Sequence, residues 1–130
     1  MRTALLILII FCSCSQNQNQ QSNNDILINK TWKTYSYTSN GTADPVVVAS
    51  QPTFQFRSDN KMYFSQINPV YRDTLNFVFI NDNNIKLTKP WVSATSQGNL
   101  KIDRLTENDF DFTLTDNQTS DIDVYKTTKQ

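Results

Sequence analysis

The chain has no histidine and only two cysteines, Cys12 and Cys14, which narrows the chemistry its side chains can perform. Without histidine, the common general base and metal ligand is missing, so Ser–His–Asp triads and ordinary zinc sites are excluded. Carboxylates remain. Asp109 with Asp111, and Asp121 with Asp123, have the spacing that places each pair on one face of a strand. Paired-carboxylate catalysis needs a desolvated cleft that splits the two pKa values. The apolar alternation around both pairs assigns them to the outward face. They therefore read as a solvated surface balanced by Lys101 and Lys126, or at most as a weak calcium site. Ser58-Asp59-Asn60-Lys61 contains S-x-x-K and S-D-N strings overlapping in one short turn. In penicillin-binding enzymes these lie far apart on a large fold, so here they are coincidence. The residues thus point to no enzyme, no catalytic group, no cofactor and no metal.

The two cysteines belong to a different chemistry. Arg2 precedes an unbroken apolar run from Ala4 to Phe11. That run is too short to span a bilayer, which takes roughly 20 residues, and has the length of a secretory signal core. Phe11-Cys12-Ser13-Cys14-Ser15 follows and resembles the lipobox cut by lipoprotein signal peptidase. Ser13 fits the small position before the cut and Cys14 the position that receives the diacylglycerol. The resemblance implies a signal peptide over residues 1–13 and an acylated, palmitate-type anchor on Cys14. Cleavage would remove Cys12 and acylation would consume the Cys14 thiol, leaving a mature domain with neither disulfide nor free thiol. The expected location is the cell envelope, lipid-anchored, with the outer membrane favoured.

Residues 14–24 continue as a Ser/Asn/Gln stretch without charge or apolar side chains, the composition of a disordered tether. As a flexible coil it reaches roughly 15–20 Å. Residues 25–130 make a single domain, long enough to bury one core without cross-links. The whole chain is electrically balanced, and loss of Arg2 with the signal would make the mature chain acidic by a single charge. With no basic stripe, nucleic acid is not an expected partner.

Period-two alternation runs through the domain. Phe54/Phe56, Met62/Phe64, Leu75/Phe77/Phe79, Ile85/Leu87, Leu100/Ile102, Phe110/Phe112/Leu114 and Ile122/Val124 each occupy one face of a strand. With Trp32–Thr38 at the front, eight strands result. Val46–Val48 is a further short run that reads as a broken strand start or a loop, because Pro52 separates it from Phe54. Short Asx-rich turns at Ser58–Asn60, Asn81–Asn84 and Thr106–Asp109 alternate with longer connections at Ser39–Pro52, Gln66–Asp73, Lys89–Asn99 and Asp116–Ser120. In a meander this collects the tight turns at one end and the long loops at the other. The predicted fold is all-β, an eight-stranded antiparallel up-and-down barrel, with a two-sheet β-sandwich as the alternative.

Thr31-Trp32 opening the first strand, the meander, and the hairpin FQFRSDNKMYF resemble the small lipocalin-like domains of bacterial lipoproteins. Lys30 stands where the lipocalin signature carries glycine. Family members close the barrel base with an arginine packed on the first-strand tryptophan. Alternation from Leu100 and Ile102 assigns Arg104 to the inward face beside Trp32, where it could take that role or reach solvent as an end-of-strand arginine. The resemblance implies a binding module. Tyr35, Tyr37, Tyr71, Arg72 and Trp91 are the aromatic and cationic candidates at or near the loop-rich mouth, for a protein partner or a small hydrophobic ligand. A carrier with an internal cavity and a structural envelope lipoprotein are the alternatives. So many inward phenylalanines argue for a filled or nearly filled interior and a shallow site.

Replacing Cys14 with serine should release the protein from membranes in a fractionation experiment. Retention of the variant in the membrane pellet would overturn the anchor.

Overall fold

The computed structural model describes residues 22–88 and 97–130; Cys14 and Trp91 lie outside the described residues. The elements are α1 (Asn23–Leu27), β1 (Thr31–Ser39), β2 (Thr42–Ala43), α2 (Pro45–Ala49), β3 (Thr53–Phe56), β4 (Lys61–Ile67), β5 (Val70–Asn81), β6 (Asn84–Thr88), β7 (Gln97–Leu105), β8 (Asp109–Asp116) and β9 (Ile122–Lys129). Neighbouring strands pair antiparallel in the order β1-β3-β4-β5-β6-β7-β8-β9, and β9 returns to pair with β1. This is a closed eight-stranded lipocalin-like barrel with β2 as one extra short strand, not a sandwich. Closure leaves no continuous free edge.

The predicted alternation holds along most strands, and its inward members meet. Phe54, Phe56, Met62, Phe77, Ile85, Leu87, Leu100, Ile102, Phe110 and Phe112 are buried together with Trp32 and Leu27. Cross-strand pairs share a face, so the registers Phe54↔Phe64, Met62↔Leu75, Ile85↔Leu100 and Ile102↔Phe112 carry one inward face around the barrel.

The three tight turns gather at one end, the base. Two residues join β5 to β6, and three join β7 to β8, where Thr106 Oγ1 accepts the Asn108 and Asp109 amides. At the opposite end, the connection from β1 to β3 carries β2 and α2. The expected long connection at Gln66–Asp73 is instead a tight hairpin, in which β4 and β5 stay paired to Ile67↔Val70. The Val46–Val48 run is helical rather than extended. Asp44 caps it by accepting the Val46 and Val47 amides, and Pro45 opens its first turn. The Ser50 carbonyl at its end accepts the Ile67 amide, which ties α2 to the tip of β4.

Ser22 caps α1, which takes in Asn23 and Asn24, the last residues that composition assigned to the tether. The Asn23 side chain donates to the Asp82 carbonyl in the β5–β6 turn, and Leu27 is fully buried beneath Trp32, whose indole N–H points at the Leu27 carbonyl. The chain therefore enters the barrel through its base. β9 ends there too, with the Gln130 amide bonded to the Thr31 carbonyl.

Arg104 does not close the base. A bulge between Ile102 and Arg104 inserts Asp103 and reverses the alternation, so Arg104 pairs across with the outward Asp111 while Leu105 pairs with the inward Phe110. Its side chain is 55% exposed and its guanidinium binds Asp109 at 2.6 Å. The cation near Trp32 is Lys30, at 6.0 Å from the ring centroid and 2.7 Å from Glu107 in the β7–β8 turn. That hydrogen bond holds the Glu107 carboxyl below its ordinary range.

Leu27→Ala should lower stability by about 2–5 kcal/mol, because it empties the floor under Trp32. Arg104→Ala should cost under about 1 kcal/mol, as expected for an exposed ion pair. Thermal melts of the two variants check the contrast; equal losses would contradict it.

Candidate functional site

The end opposite the base is the barrel mouth, and two departures from regular alternation decide what faces into it. In β1 the register to β9 shifts between Thr34 and Ser36, making Tyr35 the extra residue of a bulge. Tyr35 is exposed on the outside, and Tyr37 turns to the interior opposite Tyr125. In β9 the expected faces are exchanged. Ile122 and Val124, predicted inward, lie outward, with Ile122 47% exposed. Asp123, Tyr125 and Thr127 form the inward row, paired with Leu114, Phe112 and Phe110 of β8. Ring area explains the exchange: Tyr125 stacks on Phe112 at 4.9 Å and meets Phe54 edge-on at 5.1 Å, more apolar contact than Ile122 could make. Asp123 is thus an inward carboxylate, against the outward placement expected for it.

These residues build a band of rings across the mouth. Tyr71 lies 6.0 Å from Phe64, Phe64 5.3 Å from Phe54, Phe54 5.1 Å from Tyr125, and Tyr125 4.8 Å from Tyr37. Each end of the band carries a phenol bonded to a carboxylate: Tyr37 to Asp123 at 2.8 Å and Tyr71 to Asp73 at 3.2 Å. Phe64, Leu75, Leu114 and Tyr125 are half-buried against the core and form the floor. Gly98 occupies an inward position of β7, opposite Leu87 and Asp116. A Cβ there would stand 3.3 Å from Leu114 Cδ1, so only glycine leaves this side of the floor uncrowded.

Of the candidates named from sequence, Tyr37 and Tyr71 belong to the band. Tyr35 and Arg72 lie near it on the outer surface, Arg72 opposite Ser65. Trp91 lies outside the described residues. Phe64, Gly98, Asp123 and Tyr125 were missed. Gly98 carried a readable signal, since it is one of only two glycines in the chain and sits in an otherwise regular strand. Among the described residues no three carboxylates gather as a metal site. Asp109 is engaged with Arg104, and Asp111 lies between Arg104 and Lys126 in cross-strand register.

Burial, with the Asp123 hydrogen bond second, raises the Tyr37 phenol, and burial raises Tyr125 much further. Tyr37 and Tyr125 therefore keep their phenolic protons, and the Tyr37 hydroxyl donates to Asp123. No protein-family model matches this chain, and no curated protein matches it in sequence. The class rests on the fold, an all-β barrel compatible with lipocalin-like proteins.

A phenol whose folded pKa is raised stabilises the fold below the unfolded value and loses that contribution as pH climbs toward the folded one. Stability should therefore decline as pH rises above about 10, where the unfolded Tyr125 ionises and the folded one does not. Tyr125 alone contributes a slope of up to about 1.4 kcal/mol per pH unit. Melting temperatures from pH 8 to pH 11 should fall less steeply in Tyr125→Phe; an unchanged slope would contradict the assignment.

Proposed function

We propose that this chain is a lipid-anchored lipocalin-like lipoprotein of the bacterial cell envelope, acting as a non-catalytic binding module through its barrel mouth. One observation carries the binding role: the five-ring band is left partly open at the mouth of a barrel whose interior is otherwise packed. Tyr71 is 47% exposed, yet it stands on the inward face in contact with Phe64. An aromatic surface with hydrogen-bonding tips is costly to leave in water and suits an occupant that is partly apolar. Below the band, Trp32, Phe56, Phe77, Phe110 and Phe112 are buried against one another, which favours an occupant lying across the mouth over one enclosed within the barrel.

The anchor on Cys14 fits this placement. The first described residues pack against the β5–β6 turn at the base, so a tether from the membrane would reach the base first and the mouth would face away. Such a module presents its mouth to soluble ligands or to neighbouring envelope proteins.

Native mass spectrometry of the protein extracted from its own membranes tests the reading. The expected result is a retained small molecule, or a stoichiometric protein partner, lost in the Tyr71→Ala variant, whose half-exposed ring can be removed with the melting temperature within a few degrees. A protein that carries nothing, with Tyr71→Ala indistinguishable from it, would overturn the binding role.

A further inference from the structure

We propose that Asn40-Gly41 is a self-modification site: the closed barrel preserves the asparagine amide, and the amide converts to a carboxylate once this end of the β1–β9 seam opens. The proposal is independent of what the mouth binds. Asn40 and Gly41 form the turn between β1 and β2, with Ser39↔Thr42 as its nearest pair. Both have positive φ, 48° and 81°, as the tightest hairpins require, and Asn-Gly is the pair that meets this most readily. The same pair is chemically the most labile, because glycine has no side chain to hinder attack by its own nitrogen. Apart from its chain neighbours, nothing lies within 4 Å of where a Gly41 Cβ would stand. The other glycine, Gly98, follows Gln97, so the chain has a single Asn-Gly.

The conversion needs only water. The Gly41 nitrogen gives its proton to solvent and bonds to Asn40 Cγ. The bond from Cγ to Nδ2 breaks, and Nδ2 leaves as ammonia with a proton taken from solvent. Water then adds to one carbonyl of the cyclic imide, and the ring opens to an aspartate or, through the other carbonyl, to an isoaspartate. Nothing is oxidised or reduced.

The folded barrel holds each polar atom of this side chain. The Asn40 amide donates to the Ile122 carbonyl at 2.8 Å, and Asn40 Oδ1 accepts the Ile122 amide at 3.0 Å. The carboxamide thus adds one rung to the β1–β9 ladder beyond Ser39↔Asp123. Nδ2 donates to Asp121 Oδ1 at 2.9 Å, and this bond, with Thr119 second, holds the Asp121 carboxyl below its ordinary range. The nitrogen that Asp121 holds is the one that must leave, so the ring cannot close without breaking that bond. A carboxamide held at both its oxygen and its nitrogen does not turn freely toward the Gly41 nitrogen. The product changes the contact. A carboxylate at position 40 sets an acceptor and a negative charge against Asp121 where a donor stood, and an isoaspartate also lengthens the turn by a backbone carbon. A seam that has opened and converted does not close again as it was.

Peptide mass mapping of the full-length, detergent-solubilised protein, during prolonged incubation at mildly alkaline pH, follows the amide-to-acid conversion at position 40. It should run at least about tenfold more slowly in the folded protein than in the same chain in concentrated guanidinium chloride. Asp121→Ala, which removes one of the holds, should speed conversion in the folded protein about threefold or more. Asp103→Ala makes the same change in net charge on β7 and should leave the rate unchanged. Asn40→Asp reproduces the product and should lower the melting temperature by about 4–8 °C. Adding Asp121→Asn, whose amide can donate to the new carboxylate, should recover most of that loss. Equal rates in the folded and unfolded chain would overturn the gate, whatever the variants do. Conversion in Asp121→Ala at the unaltered rate would overturn the hold on Nδ2, and an Asn40→Asp variant as stable as its parent would overturn the one-way outcome.

Discussion

An eight-stranded barrel leaves an interior only just wide enough for its side chains, and here that space is taken by rings in contact from base to mouth. Trp32 lies 5.5 Å from Phe110, Phe110 stacks on Phe112 at 4.6 Å, Phe112 on Tyr125 at 4.9 Å, and Tyr125 meets Tyr37 at 4.8 Å. The column stands along β1, β8 and β9, the strands that close the sheet on itself. Closure and core are thus one event: the β1–β9 ladder cannot form unless Tyr125 and Thr127 face in, and they face in because Phe110 and Phe112 are there to receive them. At the lower end the column is stopped by Leu27 and Lys30. At the upper end it simply stops, and its last two rings become the floor of the site.

Two inserted residues then decide what the molecule offers to solvent. Had β1 run without its bulge, alternation from Trp32 would have placed Tyr37 outside, and the mouth would have lost the phenol that holds Asp123. Had β7 run without Asp103 inserted, Arg104 would have entered the base beside Trp32, where Lys30 now stands. Each bulge shifts one strand by one residue, which exchanges its faces completely. The Lys30 contact at the base and the inward Tyr37 at the mouth are products of these shifts as much as of composition.

That is also the measure of what was legible in the amino-acid order. Strands of alternating phenylalanine with polar partners announced themselves, and the rhythm of Asx turns and longer connections pointed to a barrel with two unlike ends. Closure by β9 follows from the same count. The bulges at Tyr35 and Asp103 left no mark, because neither is a glycine or proline and an extra residue costs the local pattern nothing. β9 was misread for a different reason. With Ile122 and Val124 on one face and Tyr125 on the other, the choice depends on the neighbouring strands, whose rings reward tyrosine over the β-branched pair. Asp44-Pro45 ahead of the valines was a readable helix start, overridden by the β preference of valine.

The placement of polarity follows from these constraints without further devices. A ring column this dense excludes a deep ligand, so any occupant must contact the column's end rather than displace it. The two ends of the band, Tyr37 and Tyr71, are tyrosines, and a phenol can bury its ring and keep its hydroxyl at the water boundary. A phenol at such a boundary needs an acceptor that tolerates partial burial, and the strand registers place Asp123 and Asp73 within reach of Tyr37 and Tyr71. The acidity of the mouth therefore arises from the same packing that fills the barrel. The β1 bulge completes the arrangement, because it turns Tyr37 inward to the carboxylate of Asp123.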